Sequence, residues 1–174
     1  MHAIFSIGSN LGDRLAHLTQ ARDALARLPQ TRLLACSRVY ETEPMDVPTA
    51  IQNPDFLNAV VIVETSVEVH ALALAMHNIE AQIGRTPSTF RNAPRVIDID
   101  LIAGDVLALD EPDLQIPHPR AAIRRFVLEP LAELRPDLIL PSQPRSIREL
   151  LAALPTSPRV KIAPEQWDPL RSCS

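Results

Sequence analysis

The sequence predicts an α+β protein with a ferredoxin-like βαββαβ core: a mostly antiparallel sheet with helices on one face, plus an additional hairpin and C-terminal helices. Three observations lead there. The runs Ala3–Ile7, Leu33–Glu41, Leu57–Glu64 and Val96–Ile102 have the length and apolar or β-branched content of strands. Two intervening segments repeat apolar residues at helical spacing. The resulting order is strand, helix, strand, strand, helix, strand. With 174 residues, 46% of them hydrophobic, the chain can bury one ordinary core.

The first strand ends at Gly8, and Ser9 or Asn10 is placed to cap a helix carrying Leu15, Leu18, Leu25 and Leu28, which Pro29 closes. Leu33–Glu41 reads as one strand, with Val39 and Tyr40 favouring extended backbone. Ala59-Val60-Val61-Ile62-Val63 is too apolar for a strand with one wet face, so that strand belongs in the middle of the sheet. Thr65 and Glu68 have capping-box spacing ahead of a helix with Val69, Leu72, Met76, Ile79 and Ile83 on one face, and Gly84 stands where a left-handed C-terminal residue belongs. After Val96–Ile102, Gly104-Asp105 turns the chain into Val106–Leu109, expected to pair back as a hairpin. Helices are expected around Arg120–Leu134 and Ser146–Leu154, the latter with Ser146 and Glu149 as a capping box. The remainder, interrupted by proline, reads as an irregular tail.

Net charge is -4, so a broad basic surface for nucleic acid is not expected. Asn10, Gly12, Asp13 and Arg14 interrupt the N-terminal apolar run, which argues against a signal peptide or membrane span and for a cytoplasmic protein. Cys36 and Cys173 are expected to be free thiols. Lys161 is the only lysine; that bias could come from a GC-rich genome or from the fitness of arginine for planar phosphate contacts. Only four glycines are present, and no Gly-rich loop runs into Lys-Ser or Lys-Thr, which excludes a P-loop or dinucleotide-binding turn. Any phosphates would be held by side chains and metal.

In Val96-Ile97-Asp98-Ile99-Asp100-Leu101-Ile102 the strand period puts both carboxylates on one face and Ile97, Ile99 and Leu101 on the other. Two like charges about 7 Å apart need a cation, either arginines in salt bridges or Mg²⁺, which is commonly held by one or two carboxylates plus water and substrate phosphates. Arg85, Arg91 and Arg95 precede the pair and His118, Arg120, Arg124 and Arg125 follow it. Metal with guanidinium groups suits transfer from a polyphosphate. At least one of Arg120, Arg124 and Arg125 is expected to be merely solvated, and His118, between Pro117 and Pro119, is a candidate phosphate contact.

These residues lead to a family. Arg91-Asn92-Ala93-Pro94-Arg95-Val96-Ile97-Asp98-Ile99-Asp100-Leu101-Ile102 resembles the signature of 6-hydroxymethyl-7,8-dihydropterin pyrophosphokinase. Ile7-Gly8-Ser9-Asn10-Leu11-Gly12, Tyr40-Glu41-Thr42-Glu43-Pro44, Asp55-Phe56-Leu57-Asn58-Ala59, and Pro117-His118-Pro119-Arg120 running on to Arg124-Arg125-Phe126 resemble it too, in the family's order. The resemblance implies a catalytic domain over residues 1–155, a tail over 156–174, and a monomer that transfers pyrophosphate from ATP to the pterin and releases AMP. It implies two Mg²⁺ on Asp98 and Asp100; ATP among Glu80, Arg85, Arg91, Arg95, Leu101, Gln115, His118 and Arg124; and catalytic roles for Arg95, Asp98, Asp100 and Arg124. The pterin would lie between Phe56 and Phe126, with Thr42, Pro44, Met45 and Asn58 at its polar edge. Asp46 and Asn92 depart from the family pattern. Loops 44–55 and 84–92 are expected to close over ATP. The rival readings are another metal-dependent enzyme using the same carboxylate pair, such as a nucleotidyl transferase or phosphohydrolase, and a non-catalytic metabolite-sensing module.

Overall fold

The computed structural model describes residues 1–44, 54–86, 93–105 and 108–168. Strand β4 (Phe56–Thr65) is the element on which the others are laid. One of its edges carries β1 (His2–Ser9) in antiparallel register, and the other carries β2 (Thr31–Cys36) and β3 (Tyr40–Thr42) end to end. Beyond β1 lies β5 (Asp98–Gly104), and beyond β3 lies β8 (Val160–Ile162). Among the described residues the sheet order is therefore β5-β1-β4-β3-β8, with β2 also on β4. This is the predicted split arrangement, and its central strand is the one whose run of valines and isoleucine excluded a wet face.

Strand parity then assigns each residue a side. Ala3, Phe5 and Ile7 of β1, Leu57, Ala59, Val61 and Val63 of β4, and Ile99 and Leu101 of β5 share one buried cluster with α1 (Arg14–Ala26) and α2 (Val69–Ile83). Residues of the other parity, Ile4, Val60, Ile62 and Ile102, are buried with Val127, Leu128 and Leu131 of α3 (Arg125–Leu134) and Ile147 of α4 (Ile147–Ala153). The C-terminal helices thus cover half of the face expected to be open. Beyond the part that these helices cover, the parity continues into Ser6, Gly8, Phe56, Asn58, Asp98 and Asp100, which line a cavity.

Several boundaries differ from the sequence reading. Helix α1 is capped by Asp13, whose carboxylate accepts from the Ala16 N–H at 3.1 Å, and neither Ser9 nor Asn10 caps it. Asn10 is buried and bridges two loops instead: its carboxamide donates to the Pro54 carbonyl and accepts from the Arg95 N–H. Glu68 alone caps α2, accepting from His70 and Ala71, while Thr65 closes β4 and its hydroxyl accepts from the Val67 N–H. Gly84 ends α2 at φ 112°, as its position predicted, and Ser146 and Glu149 form the predicted box at α4. Leu33–Glu41 is two strands, interrupted at Ser37–Val39. The hairpin lies later than expected, between β6 (Leu109–Glu111) and β7 (Leu114–Ile116), and Leu109 pairs with Ile116 rather than with β5; Val106 is outside the described residues. Arg120–Leu134 divides into a 3₁₀ turn, Ala121–Ile123, and α3. The stretch read as irregular contains β8, and Trp167 packs on the main core, donating its indole N–H to the Ser37 carbonyl with the Arg22 guanidinium 5.2 Å from the ring centre. Among the described residues no helix is long and apolar enough to cross a membrane.

Leu131 is fully buried between α3 and the sheet, so Leu131→Ala should destabilise the protein by about 2–5 kcal/mol. Urea unfolding followed by circular dichroism would measure it.

Candidate active site

Asp98 and Asp100 stand on the site face of β5, each rather less than one-third exposed. Three arginines from different segments reach them. Arg85, just past the C-cap of α2, donates to Asp98 at 2.8 Å and also pairs with Glu80. Arg95 lies 3.0 Å from the other Asp98 oxygen, its backbone N–H held by Asn10. Arg124, the N-cap residue of α3, donates to Asp100 at 3.2 Å. The third member of the distal set turns away: Arg125 donates to the Leu154 and Pro155 carbonyls and pairs with Glu129.

Glu80 is the buried member of this network. Besides the Arg85 pair, its carboxylate accepts from the Ile99 N–H at 2.7 Å, which locks α2 to β5 beside the aspartates. Burial raises its pKa against the opposing pull of the Ile99 bond and Arg85. Burial likewise raises Asp100, with the Asp98 charge acting in the same direction and His118, Arg124 and Arg95 opposing. His118 is pushed down by burial against the attraction of Asp100. Its Nδ1 accepts from the Arg120 N–H at 3.1 Å, so the neutral ring carries its proton on Nε2, available as a donor.

Two cavities open on the carboxylate pair. The larger, about 570 Å³, is lined by Ala73, Met76 and Glu80 of α2, Arg85, Leu101, Leu114 and Gln115 of the β7 region, His118, and both aspartates. The smaller, about 100 Å³, is lined by Thr42, Pro44, Phe56, Asn58, Phe126, Arg95 and Arg124, again with both aspartates. The structure therefore brings together every described residue expected at the site and sorts it to one side or the other of Asp98 and Asp100. Arg91 and Met45 lie outside the described residues, as do Asp46, Asn92 and most of both expected closing loops.

Phe56 and Phe126 are half-buried, which suits ring surfaces that complete their burial against a ligand. Asn58 is buried and donates to the Thr42 hydroxyl at 2.7 Å. Between Asn58 and Asp98 in the sheet lies Gly8, paired with both. A Cβ there would stand 2.6 Å from the Asn58 carboxamide oxygen, so the glycine forms the floor of the smaller cavity. Ser6 and Glu43 also line that cavity, and His77 the larger. The sequence reading missed Ser6 and His77; only the alternation along β1 could have pointed to Ser6.

Among the described residues no group of three or more His, Cys, Asp or Glu could hold a metal. Two carboxylates with room for phosphates beside them fit Mg²⁺, which seldom sits in an all-protein cage.

A model of 7,8-dihydro-6-hydroxymethylpterin-pyrophosphokinase matches residues 4–136. The chain is 39% identical over 150 residues to the 2-amino-4-hydroxy-6-hydroxymethyldihydropteridine pyrophosphokinase of Pseudomonas aeruginosa, covering 86% of this chain and 90% of that one. It is also 39% identical over 155 residues to the protein of the same name from Methylorubrum extorquens, covering 89% and 94%. A crystal structure of Plasmodium falciparum HPPK-DHPS A437G with STZ-DHP superposes with TM-score 0.67 at 14% identity over 87% of this chain, which spans 45% of that longer one; at that identity the likeness concerns fold alone. The protein is a transferase of the kinase type. It belongs to the 7,8-dihydro-6-hydroxymethylpterin-pyrophosphokinase family and serves folate biosynthesis.

The folded state binds the Asp100 proton more tightly than the unfolded chain does, so Asp100 ionisation costs stability as pH rises through its raised pKa. Asp100→Asn should therefore melt no lower than the wild type at neutral pH without metal, an advantage that vanishes below the ordinary carboxylate range. Thermal melts across pH test this; a variant melting lower at neutral pH would contradict it.

Proposed function

We propose that the protein transfers the pyrophosphoryl group of ATP to the hydroxymethyl oxygen of 6-hydroxymethyl-7,8-dihydropterin and releases AMP. The observation that carries this reading is the sharing of Asp98 and Asp100 by two unequal cavities. The larger suits a nucleotide with its phosphates directed at the arginines. The smaller, with two aromatic rings and a buried carboxamide, suits a flat bicyclic heterocycle.

In this reading the acceptor oxygen forms a bond to the β-phosphorus, the bond from that phosphorus to the bridging α–β oxygen breaks, and AMP leaves with the bridging oxygen. The hydroxyl proton goes to water or to Asp98. Two Mg²⁺ would be held by Asp98 and Asp100 with phosphate oxygens and water, neutralising charge on the bridging oxygens. Arg85, Arg95 and Arg124, now paired with the aspartates, exchange those partners for phosphate oxygens as the nucleotide enters. His118 Nε2 donates to a phosphate, Glu80 keeps Arg85 aimed, and Leu101 and Gln115 contact the nucleotide. Phe56 and Phe126 stack on the pterin, while Thr42, Pro44 and Asn58 meet its edge; Arg91 and Met45 remain candidates for ATP and pterin respectively from the family resemblance.

AMP formation from ATP and the pterin, with and without Mg²⁺, is the direct test. Asp98→Ala should abolish it while the fold survives, and Arg124→Ala should slow it about 10²- to 10³-fold. Persistent activity in Asp98→Ala would sink the metal assignment. Gly8→Ala should raise KM for the pterin by about tenfold or more, because its methyl displaces the Asn58 carboxamide, while KM for ATP changes little. Steady-state kinetics with each substrate varied would show whether the loss is one-sided.

A further inference from the structure

Strand β3 has three residues, too few to hold its own register, yet Thr42, Glu43 and Pro44 at its end form a wall of the smaller cavity. It is fixed on one side by β4 and on the other by β8, where Tyr40, Glu41 and Thr42 pair with Ile162, Lys161 and Val160. The Glu43 N–H donates to the Arg159 carbonyl at 3.3 Å, and the Arg159 N–H donates to the Glu43 carboxylate at 3.1 Å.

Behind this wall, on the α1 side, runs a chain of charged groups. Lys161 Nζ lies 2.8 Å from Glu41 Oε2, and Arg14 Nη1 donates to Glu41 Oε1 at 3.4 Å and to the Asp55 carbonyl at 2.8 Å. Asp55 immediately precedes Phe56. Glu41 is 17% exposed, and its hydrogen bond from Lys161 holds the carboxyl below its usual range. The far end of β8 is tied down separately: Ala163 donates to the Val39 carbonyl, Gln166 exchanges hydrogen bonds with Val39 in both directions, and Arg22 donates to the Asp168 carbonyl. All of these C-terminal anchors lie beyond residues 4–136, the part matched to the family.

We propose that β8 is a positioning element for the acceptor end of the active site, fixing Thr42 through its pairing with β3 and Phe56 through the chain Lys161–Glu41–Arg14–Asp55. The proposal rests on the pterin reading of the smaller cavity. No residue lining the larger cavity belongs to α1, β3 or β8, so disturbing the chain affects one substrate only.

The experiment uses the full chain as wild type, Lys161→Met, Lys161→Arg and Glu41→Gln, titrated with a non-hydrolysable ATP analogue in Mg²⁺ and then, with that analogue saturating, with 6-hydroxymethylpterin. Lys161→Met keeps the aliphatic stem and removes the charge. It should weaken pterin binding about threefold, the scale of a partly screened ion pair, with nucleotide binding unchanged. Glu41→Gln should give the same one-sided loss, and Lys161→Arg should restore wild-type affinity. Unchanged pterin affinity in folded Lys161→Met and Glu41→Gln overturns the proposal, as does equal weakening of both ligands. A wild-type protein that binds nucleotide and no pterin overturns the acceptor reading and this proposal with it.

Discussion

Two carboxylates on alternate positions of one strand impose the constraint from which the site follows. At an effective dielectric of about 20, charges about 7 Å apart repel by about 2 kcal/mol. The fold answers with guanidinium groups drawn from three separate places: the end of α2, the loop leading into β5, and the start of α3. Each must be held against its own entropy. The left-handed Gly84 turns the chain so that Arg85 follows the helix, Asn10 grips the Arg95 backbone, and Arg124 begins α3. A network that neutralises the aspartates with mobile-ended arginines is one that can hand those arginines to phosphate.

The sheet supplies rigidity for this exchange. The row Asp98, Gly8, Asn58 and Tyr40 crosses four strands in register, so the acidic end and the carboxamide end of the site are spaced by strand geometry rather than by loops. Gly8 keeps the middle of that row empty. At the other end of these four from Asp98, Tyr40 donates to Glu133 of α3 at 2.7 Å, tying the helix that carries Phe126 to the strand that carries Thr42. Burial and the Glu133 bond push the Tyr40 phenol up to about 12, so the tie persists across the physiological pH range.

What the sequence disclosed followed from local rules. Alternation placed Asp98 and Asp100 together, unbroken apolar character placed β4 at the centre, and Gly84 and Ser146 marked helix ends. What it withheld depended on distant partners. Asn10 resembles a cap in isolation, but Asp13 is three residues from the amide it serves, and Asn10 is spent on Pro54 and Arg95. The break at Ser37–Val39 is invisible locally because Trp167 and Gln166 satisfy its backbone from 127 to 130 residues away. Strand β8 exists only because β3 offers it an edge. Neither Gly8 nor Ser6 carries chemistry that composition could flag; their meaning comes from what stands beside them.

The half-covered sheet face has a further meaning. Where the packing of α3 and α4 ends, the same face of the sheet continues into Ser6, Gly8, Asn58, Asp98 and Asp100, bordered by the rings of Phe56 and Phe126. Among the described residues the sheet thus carries helices on both faces at one end and on one face at the other, with the half-buried rings of Phe56 and Phe126 at the boundary. A flat guest seated against those rings would be bound partly by the same forces that fold the chain, so that recognition there would amount to a last local step of core formation.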